Sequence, residues 1–580
     1  MKSLRGLFAF SLAWLWLAAV VASLAPADGV NKDVKKTDAK NTGEKTPVQP
    51  APQVAGPRKI TTMVPMHDGT RLATDIYQAA DAPGAQPVIF VRGPYGKGFG
   101  KLFNEQAAKK GYVLVVQDMR GRHDSEGTDA VVFHNDGWSK NRDGQESLAW
   151  IVQQPWCNGR VATWGGSALG ITQVLMAPGA HEALQAQFVQ VAFSDMYSQC
   201  VYQGGAWRTE LIEHWLVGQK FKPETMETFI AHPKYDDFWA ETNAEAQAAR
   251  VNTPAIFWGG WYDIFCQGTI NSFVTIHKHG GEKARGKCRL IMGPIAHGGF
   301  NELKYPPNST KQPPAADHYR FFDHFLKGEN NGVAEDKPVH YYVMGDPTDK
   351  AAPGNVWRAA DNWPPPSRET KLYFHADKKL LKDAPTAADA TLGYQYDPNS
   401  PVPTIGGQNL TIKKGPMDQR QVESRPDVLV FTSDELTEPL EVTGRIFAKL
   451  FVSSDCPDTD FTVKLCDVYP DGRSMLVTDG LLRARYRKSF EREEFLKPGE
   501  TYELSVDLWS TSLVFNKGHR LRVAVSSSNS PRYDPNPNTG HAFRADKETR
   551  VANNTLHVSK AHPSCIILPV YDEKQIAEKK

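Results

Sequence analysis

The 580-residue sequence contains few cysteines and almost no net charge. Its seven cysteines are scattered and odd in number, which argues against a disulfide-stapled scaffold and leaves at least one thiol free. A formal net charge of +1 gives no one-sided electric field, so no nucleic acid partner is expected. The sequence also lacks a GxxxxGK[ST] phosphate loop and any dense Cys/His cluster, so no cofactor and no metal are predicted.

The N-terminus carries an apolar run at residues 7–22, preceded by Lys2 and Arg5. The run is short and poorly flanked for a membrane span, so residues 1–27 are predicted to be a signal peptide. A secreted or periplasmic protein is therefore expected, with no stable membrane insertion after cleavage. The alternative is an uncleaved N-terminal anchor helix. Residues 28–58 are rich in Lys, Thr, Pro and Asp and are predicted to be a disordered linker.

Short apolar runs such as "VIFV", "YVLVV", "VATW", "AIFW" and "LIM" alternate with amphipathic stretches over the next part of the chain. Gly, Pro or charge bounds each run, as is typical of buried parallel strands, so an α/β domain is predicted over 59–194 and 251–345. Residues 195–250 interrupt it with a helical, aromatic-rich insertion, predicted to be a cap. From 346 to 575, alternating runs such as "RIFAKLFVSS" and "TYELSVDL" predict a C-terminal β jelly-roll domain.

The stretch "TWGGSALG" places Ser167 between a predicted strand and a predicted helix. A nucleophile on such a tight bend needs small neighbours, because its backbone is strained and its flanks approach closely. Gly165, Gly166, Ala168 and Gly170 meet that need, although the strict Gly-x-Ser-x-Gly pattern is not present. On this motif alone, a nucleophile and a structural turn are equally good interpretations.

A serine nucleophile needs a base, and the base needs an orienting carboxylate. Asp263 in "FWGGWYDIF" and His297 in "LIMGPIAHGGF" follow Ser167, each just after a predicted strand. Serine, acid and histidine is the chain order of α/β-hydrolases. Taken singly, each residue has a better structural explanation, but the three residue types in this order favour a catalytic triad.

Acyl transfer also requires donors for the oxyanion. The backbone N–H of Ala168 is one candidate, and Tyr95 in "VIFVRGPYGKG" is the second, since a neutral phenol donates at pH 7.

Six stretches together resemble a known family. They are "RGPYGKG", "VQDMRGRHDSEG", "DGQESLAWIVQQPWCNGRVATWGGSALG", "GGWYD", "MGPIAHGG" and "HRLRVAVSSSNSPRYDPNPNTG". In this order they resemble the cocaine esterase, glutaryl acylase and Xaa-Pro dipeptidyl-peptidase family of α/β-hydrolases. The resemblance implies an α/β-hydrolase domain with an inserted helical cap, followed by a galactose-binding-like jelly roll. It also implies a triad of Ser167, Asp263 and His297, with Tyr95 and Ala168 forming the oxyanion hole.

The substrate pocket is expected at cap and loop residues. Its predicted lining is Trp207, Trp215, Phe265 and Ile295. Relatives that act on α-amino esters place acidic residues soon after the triad aspartate, where this chain has Ile264, Phe265 and Cys266. An ammonium-binding charge could still come from the cap acids Asp195, Glu210 or Glu213.

The sequence therefore predicts a secreted serine hydrolase that cleaves an ester or amide bond of a small molecule or peptide through a Ser167 acyl-enzyme. A Xaa-Pro dipeptidyl-peptidase is the first alternative. A catalytically inactive hydrolase that binds a glycan or a protein partner is the second. The oligomeric state stays open, a homo-oligomer included.

Overall fold

A computed structural model of the protein describes residues 57–572. The predicted signal peptide and nearly all of the predicted linker lie outside the described residues. The α-helices of the described range are α1 (Asn104–Lys109), α2 (Asp143–Val152), α3 (Ala168–Met176), α4 (Thr209–Gly218), α5 (Pro223–Ala231), α6 (Asp237–Ala240), α7 (Cys266–His279), α8 (His318–Phe322) and α9 (Arg420–Glu423).

The first half of the chain builds one large mixed sheet. Its strands are β1 (Arg58–Pro65), β2 (Arg71–Gln78), β3 (Gln86–Gly93), β4 (Val113–Asp118), β5 (Cys157–Gly166), β6 (Leu184–Gln190), β9 (Ala255–Tyr262), β10 (Arg289–Ala296), β11 (Val339–Val343) and β12 (Val356–Ala360). The spatial order is β1-β2-β4-β3-β5-β6-β9-β10-β11-β12. Every pairing from β4 to β11 is parallel, whereas β1, β2 and β12 are antiparallel additions at the two edges.

Helices cover both faces of this sheet, which is why its central strands are apolar throughout. Every residue of β4 and of β9 is buried. Side chains of α1 and α8 pack on one face, while α2 and α3 pack on the other. Because the central strands are parallel, their carboxyl ends meet at one edge of the sheet, which we call the catalytic edge.

A cap is inserted between β6 and β9. It contains a π-helical turn at Tyr197–Val201, a small hairpin of β7 (Tyr202–Gln203) and β8 (Ala206–Trp207), and helices α4, α5 and α6. Its interior is aromatic, with Tyr197, Tyr202, Trp207 and Trp239 almost completely buried. Because large rings bury much apolar area per residue, this short insertion is well packed, in one cluster with residues of the sheet and of the C-terminal domain.

The second half of the chain forms two antiparallel sheets. Their strands are β13 (Ser367–Phe374), β14 (Leu380–Leu381), β15 (Thr391–Tyr396), β16 (Leu429–Thr432), β17 (Leu440–Ser454), β18 (Asp460–Val468), β19 (Ser474–Arg483), β20 (Tyr502–Phe515), β21 (Arg520–Ser526), β22 (Ala552–His557) and β23 (Cys565–Tyr571). One sheet has the order β14-β13-β23-β17-β22-β15, with β20 also paired to β17, and the other has β16-β21-β18-β19. Ile446, Ala448, Leu450 and Val452 alternate along β17 and are fully buried, which matches the period of a strand with one face in the core.

Three details complete the architecture. The first sheet continues into β12, beyond residue 346, where the sequence predicts the second domain to begin. All seven cysteines lie within residues 57–572, and each is a buried free thiol. No helix in this range combines the length and apolarity needed to cross a membrane.

Candidate active site

Ser167 occupies a tight turn between β5 and α3 at the catalytic edge. Its φ of 56° and ψ of −127° are strained for a non-glycine residue. Its neighbours are small because the turn is crowded. A Cβ on Gly165 would lie 2.5 Å from the Cβ of Leu169, and one on Gly170 would lie 2.6 Å from the carbonyl oxygen of Gln190. The strand, turn and helix therefore present the serine hydroxyl at the end of the sheet.

Asp263 and His297 follow β9 and β10, which β6 separates from β5 along the catalytic edge. His297 Nδ1 lies 2.7 Å from Asp263 Oδ2, and His297 Nε2 lies 3.0 Å from Ser167 Oγ. A carboxylate only accepts hydrogen bonds, so Nδ1 carries the proton and the lone pair of Nε2 faces the serine hydroxyl. The structure thus brings the three residues predicted from the sequence into one hydrogen-bonded chain.

The carboxylate and the imidazole of this chain are shielded from water. Asp263 is completely buried and His297 is 3% exposed. The other oxygen of Asp263, Oδ1, accepts a hydrogen bond of 2.8 Å from the backbone N–H of Phe265. Both carboxylate oxygens are therefore held, which fixes the direction in which Asp263 presents itself to the imidazole.

Tyr95 lies two residues beyond the end of β3, beside Ser167. Its hydroxyl accepts a hydrogen bond of 3.3 Å from Trp215 Nε1. Burial raises the pKa of Tyr95, while its interactions with Trp215, with the Ser167 side chain and with the Ala168 N–H act in the opposite direction. The phenol therefore keeps its proton at neutral pH. The Tyr95 hydroxyl and the Ala168 N–H thus lie next to the Ser167 side chain, where the sequence predicts an oxyanion hole.

Of the four predicted pocket residues, contacts place two beside these groups. The Phe265 ring lies edge-on to the His297 imidazole, with centroids 5.8 Å apart. Trp215 contacts Tyr95 and stacks on Phe133 at 5.9 Å. Phe133 was not identified from the sequence, because no motif marks it and its ring is brought here by the fold.

The other two predicted pocket residues pack elsewhere. Trp207 is completely buried and packs between Tyr202 of the cap and Phe543 of the C-terminal domain. Ile295 packs beside Gly260, on the face of the sheet that also contacts α1 and α8. In both cases the apolar side chain is part of a hydrophobic core. The contacts with Tyr95 and His297 described above come from Trp215 and Phe265 instead.

The three cap acids considered for ammonium binding are engaged in the fold. Glu210 accepts hydrogen bonds from the backbone of the C-terminal domain at Leu410 and Ile412. Glu213 pairs with Arg544. Asp195 accepts from the N–H and the hydroxyl of Ser198.

A buried lysine is a second site residue that sequence reasoning missed. Lys414 Nζ, from the C-terminal domain, donates to the backbone carbonyl of His297 at 2.9 Å. The two residues are 117 positions apart, and a lysine in a polar loop has no sequence signal that distinguishes it from a solvated one.

Comparisons with known proteins agree with this architecture. The family model described as X-Pro dipeptidyl-peptidase (S15 family) matches residues 68–225 and 216–299. The model of the X-Pro dipeptidyl-peptidase C-terminal non-catalytic domain matches residues 331–567. Cocaine esterase of Rhodococcus sp. (strain MB1 Bresler) is 34% identical over 579 residues, which cover 88% of this chain and 97% of that protein. The chain belongs to the cocaine esterase and Xaa-Pro dipeptidyl-peptidase family.

Solved structures extend this likeness to the whole described fold. An aminopeptidase from the marine sediment archaeon Thaumarchaeota archaeon is 25% identical, with a TM-score of 0.79 and coverage of 93% of this chain and 100% of that one. An α-amino acid ester hydrolase is 26% identical, with a TM-score of 0.75 and coverage of 91% and 98%. The predicted family and the predicted fold, an α/β-hydrolase domain followed by a jelly roll, are therefore confirmed, and the chain is a hydrolase of the esterase and peptidase type.

Proposed function

We propose that this chain hydrolyses carboxylic esters with neutral acyl groups through a Ser167 acyl-enzyme. The observation that carries the proposal is the hydrogen-bonded chain from Asp263 through His297 to Ser167. Membership of a family that includes cocaine esterase supports the same reaction class.

In the proposed acylation step, His297 Nε2 takes the proton of the Ser167 hydroxyl as the oxygen attacks the ester carbonyl carbon. Asp263 holds the imidazole by Nδ1 and stabilises the imidazolium. The Tyr95 hydroxyl and the Ala168 N–H donate to the oxyanion of the tetrahedral intermediate. The imidazolium then returns the proton to the departing alkoxide, which leaves as an alcohol.

Deacylation repeats these roles with water. His297 removes a proton from a water molecule that attacks the acyl carbon, and the second oxyanion is held by the same two donors. Collapse of that intermediate breaks the bond to Ser167 Oγ, the oxygen regains its proton from the imidazolium, and the carboxylic acid departs.

The preference for a neutral acyl group rests on what surrounds the site. A free α-ammonium group needs a carboxylate partner, since a buried unpaired charge is costly. The residues after Asp263 are uncharged, and Asp195, Glu210 and Glu213 each bind groups of the fold. Aromatic rings of Trp215, Phe133 and Phe265 instead suit an apolar acyl group.

A fluorophosphonate probe followed by peptide mass spectrometry tests the nucleophile. We expect a single adduct on Ser167 in the parent chain and a much slower reaction in His297→Ala. Cys157→Ser is the control, because Cys157 is a buried thiol at the start of β5, far along the strand from Ser167. A folded parent chain that stays unlabelled would refute the acyl-enzyme and favour the inactive, ligand-binding alternative.

Matched substrates separate the esterase from the dipeptidyl-peptidase. We expect p-nitrophenyl esters of neutral acids to be cleaved faster than Xaa-Pro p-nitroanilides. N-acetylation of the Xaa-Pro substrate should change its rate little, because no carboxylate is offered to the free amine. Fast cleavage of the free-amine anilide and loss of that activity on acetylation would establish the dipeptidyl-peptidase instead.

We also propose that the protein is exported and then released by signal cleavage within residues 1–27. The support is the basic residues Lys2 and Arg5 ahead of the apolar run. N-terminal mass spectrometry of the protein isolated from its native cells would show a start near residue 28. A mature chain that still contains residues 7–22 would support an uncleaved N-terminal anchor helix instead.

A further inference from the structure

A hairpin of the C-terminal domain lies against the catalytic edge of the other domain. Gly407 and Gly415 close it through reciprocal backbone hydrogen bonds of 2.9 and 3.0 Å. We call residues 407–415 the docking hairpin. Gln408 Nε2 donates to the carbonyl of Trp261, in the strand that leads to Asp263. The hairpin therefore touches the segment that carries the acid of the site.

The cap contacts the docking hairpin on one side. The Glu210 carboxylate at the start of α4 is completely buried. It accepts hydrogen bonds from the backbone N–H groups of Leu410 at 3.0 Å and Ile412 at 3.3 Å, and from the Thr411 hydroxyl at 2.8 Å. A carboxylate held by this many donors is well compensated for its burial, so the hairpin is fixed relative to the cap.

The loop that carries His297 contacts the docking hairpin on the other side. Lys414 Nζ donates to the carbonyl of His297 at 2.9 Å and to that of Leu410 at 2.6 Å. The backbone N–H of Lys414 donates to Asn301 Oδ1 at 2.7 Å. The lysine thus joins the hairpin directly to the backbone of the residue that contacts Ser167 Oγ.

The ammonium group of Lys414 is costly to bury, which makes its placement informative. The residue is 9% exposed, and burial lowers the pKa of Lys414, while the Glu210 and Asp263 carboxylates oppose that change. A neutral side chain could fill the same volume without this cost.

We propose that Lys414 is a positioning residue for His297, supplied by a domain whose family description calls it non-catalytic. Its ammonium holds the His297 carbonyl, so that the imidazole stays between Asp263 and Ser167. Its positive charge also interacts favourably with the Asp263 carboxylate. The inference rests on the proposed hydrolase function and adds to it that the active site is complete only with the docking hairpin in place.

Lys414→Met tests the proposal, because methionine keeps much of the apolar stem and removes the charge. We expect kcat to fall about ten- to a hundredfold with KM nearly unchanged, since small displacements of a catalytic group have effects of this size. A KM that stays near the parent value while kcat falls distinguishes a misplaced imidazole from weaker substrate binding.

Lys413→Met is the matched control, because Lys413 is the neighbouring lysine and is exposed. It should leave kcat and KM as in the parent chain. A folded Lys414→Met with the kcat of the parent chain would overturn the proposal. If Lys414→Met does not fold, Lys414→Arg tests the proposal instead. The larger guanidinium keeps the charge and displaces the His297 carbonyl, so we expect a lower kcat with KM nearly unchanged, and a parent-like kcat would overturn the proposal.

Labelling of Ser167 by the fluorophosphonate probe separates this inference from the proposed function. If the parent chain is not labelled, both fail together. If the parent chain is labelled and Lys414→Met is labelled at the same rate, only the role of Lys414 fails. A slower rate in Lys414→Met, with the parent rate in Lys413→Met, supports both.

Discussion

At the residue scale, Tyr95 shows how burial prepares a side chain for a chemical role. A phenol in water is a modest donor that ionises in base, but burial raises the pKa of Tyr95 and keeps it protonated beside Ser167. Trp215 donates to the hydroxyl oxygen, which leaves the O–H proton available for an oxyanion. The position of this hydroxyl depends on three separate elements, namely the loop after β3, the turn before α3 and helix α4.

Tyr95→Phe is expected to remove one oxyanion donor and little else. We expect kcat to fall about a hundred- to a thousandfold, equivalent to about 3–4 kcal/mol of transition-state stabilisation, with KM nearly unchanged. Steady-state kinetics with a p-nitrophenyl ester measures the effect. Tyr342→Phe is the control, since its hydroxyl donates to Asn308 and not to the site. A Tyr95→Phe rate within a fewfold of the parent would exclude Tyr95 as an oxyanion donor.

At the element scale, the cap begins with a carboxylate that the fold makes hard to ionise. Asp195 lies just before the π-helical turn Tyr197–Val201 and accepts hydrogen bonds from the backbone N–H groups of Tyr197 and Ser198. Burial raises the pKa of Asp195 from 3.8 to about 6, and the neighbouring Glu245 charge adds to the rise. The hydrogen bonds orient the turn, whereas the desolvated charge of Asp195 destabilises the folded state.

Asp195 makes the stability of the fold dependent on pH in a known direction. Between pH 3.8 and about 6 the folded chain binds this proton more tightly than the unfolded chain. Stability therefore falls as pH rises through this window and then levels off. Burial raises the pKa of Asp136 to about 6 as well, so Asp195 is one of several such contributions in the described residues.

Asp195→Asn is expected to remove the contribution of Asp195. The amide oxygen can still accept from the turn, and no charge has to be desolvated. The melting temperature of the variant should rise relative to that of the parent chain between pH 4 and pH 7, because only the parent must ionise Asp195 over this range. Asp377→Asn is the control at an exposed turn. A melting temperature of Asp195→Asn that does not rise relative to the parent chain would contradict the assignment.

At the scale of the whole molecule, the two domains share buried polar contacts in addition to an apolar interface. Arg532 of the C-terminal domain donates to Asp479 at 2.6 Å and to Gln203 of the cap at 3.3 Å. The Tyr533 hydroxyl donates to the same Gln203 oxygen at 2.7 Å. The Tyr262 hydroxyl, in β9, donates to the carbonyl of Leu476 at 2.9 Å. The hydrogen bonds to Gln203 and to Leu476 cross between the domains and would be lost if the domains separated.

We therefore expect the described domains to unfold in a single thermal transition. Arg532→Met should lower the stability of the whole molecule by about 3–5 kcal/mol, because it leaves Asp479 buried with a lost ionic partner. Arg520→Met, at an exposed ion pair with Glu435, should change it by about 0.5 kcal/mol or less. Calorimetry combined with tryptophan fluorescence measures both. Two separated transitions, only one of them shifted by Arg532→Met, would show that the domains unfold independently.

Local sequence pattern was sufficient for the architecture and for the candidate nucleophile. Apolar runs of strand length, separated by helical stretches, predict parallel strands because those strands are buried on both faces, and β4 and β9 have this burial. The glycines around Ser167 predict a crowded turn, because only glycine tolerates such close approach, and Gly165 and Gly170 have this crowding. Asp263 and His297 could be chosen because each follows a strand, and parallel strands end at one edge.

Contacts between distant segments depended on the tertiary structure. Trp207 and Trp215 are both cap tryptophans and look alike in the sequence, yet one packs against the C-terminal domain and the other contacts Tyr95. The difference comes from how the cap folds over the sheet, which no periodicity encodes.

Lys414 shows the same limit for a charged residue. By itself the sequence determined the order of the strands along the chain, the turn at Ser167 and the residue types at the catalytic edge, because these follow from local burial and backbone sterics. Only the tertiary structure decided which of two adjacent lysines is buried against His297, because that choice depends on the docking of one domain on the other.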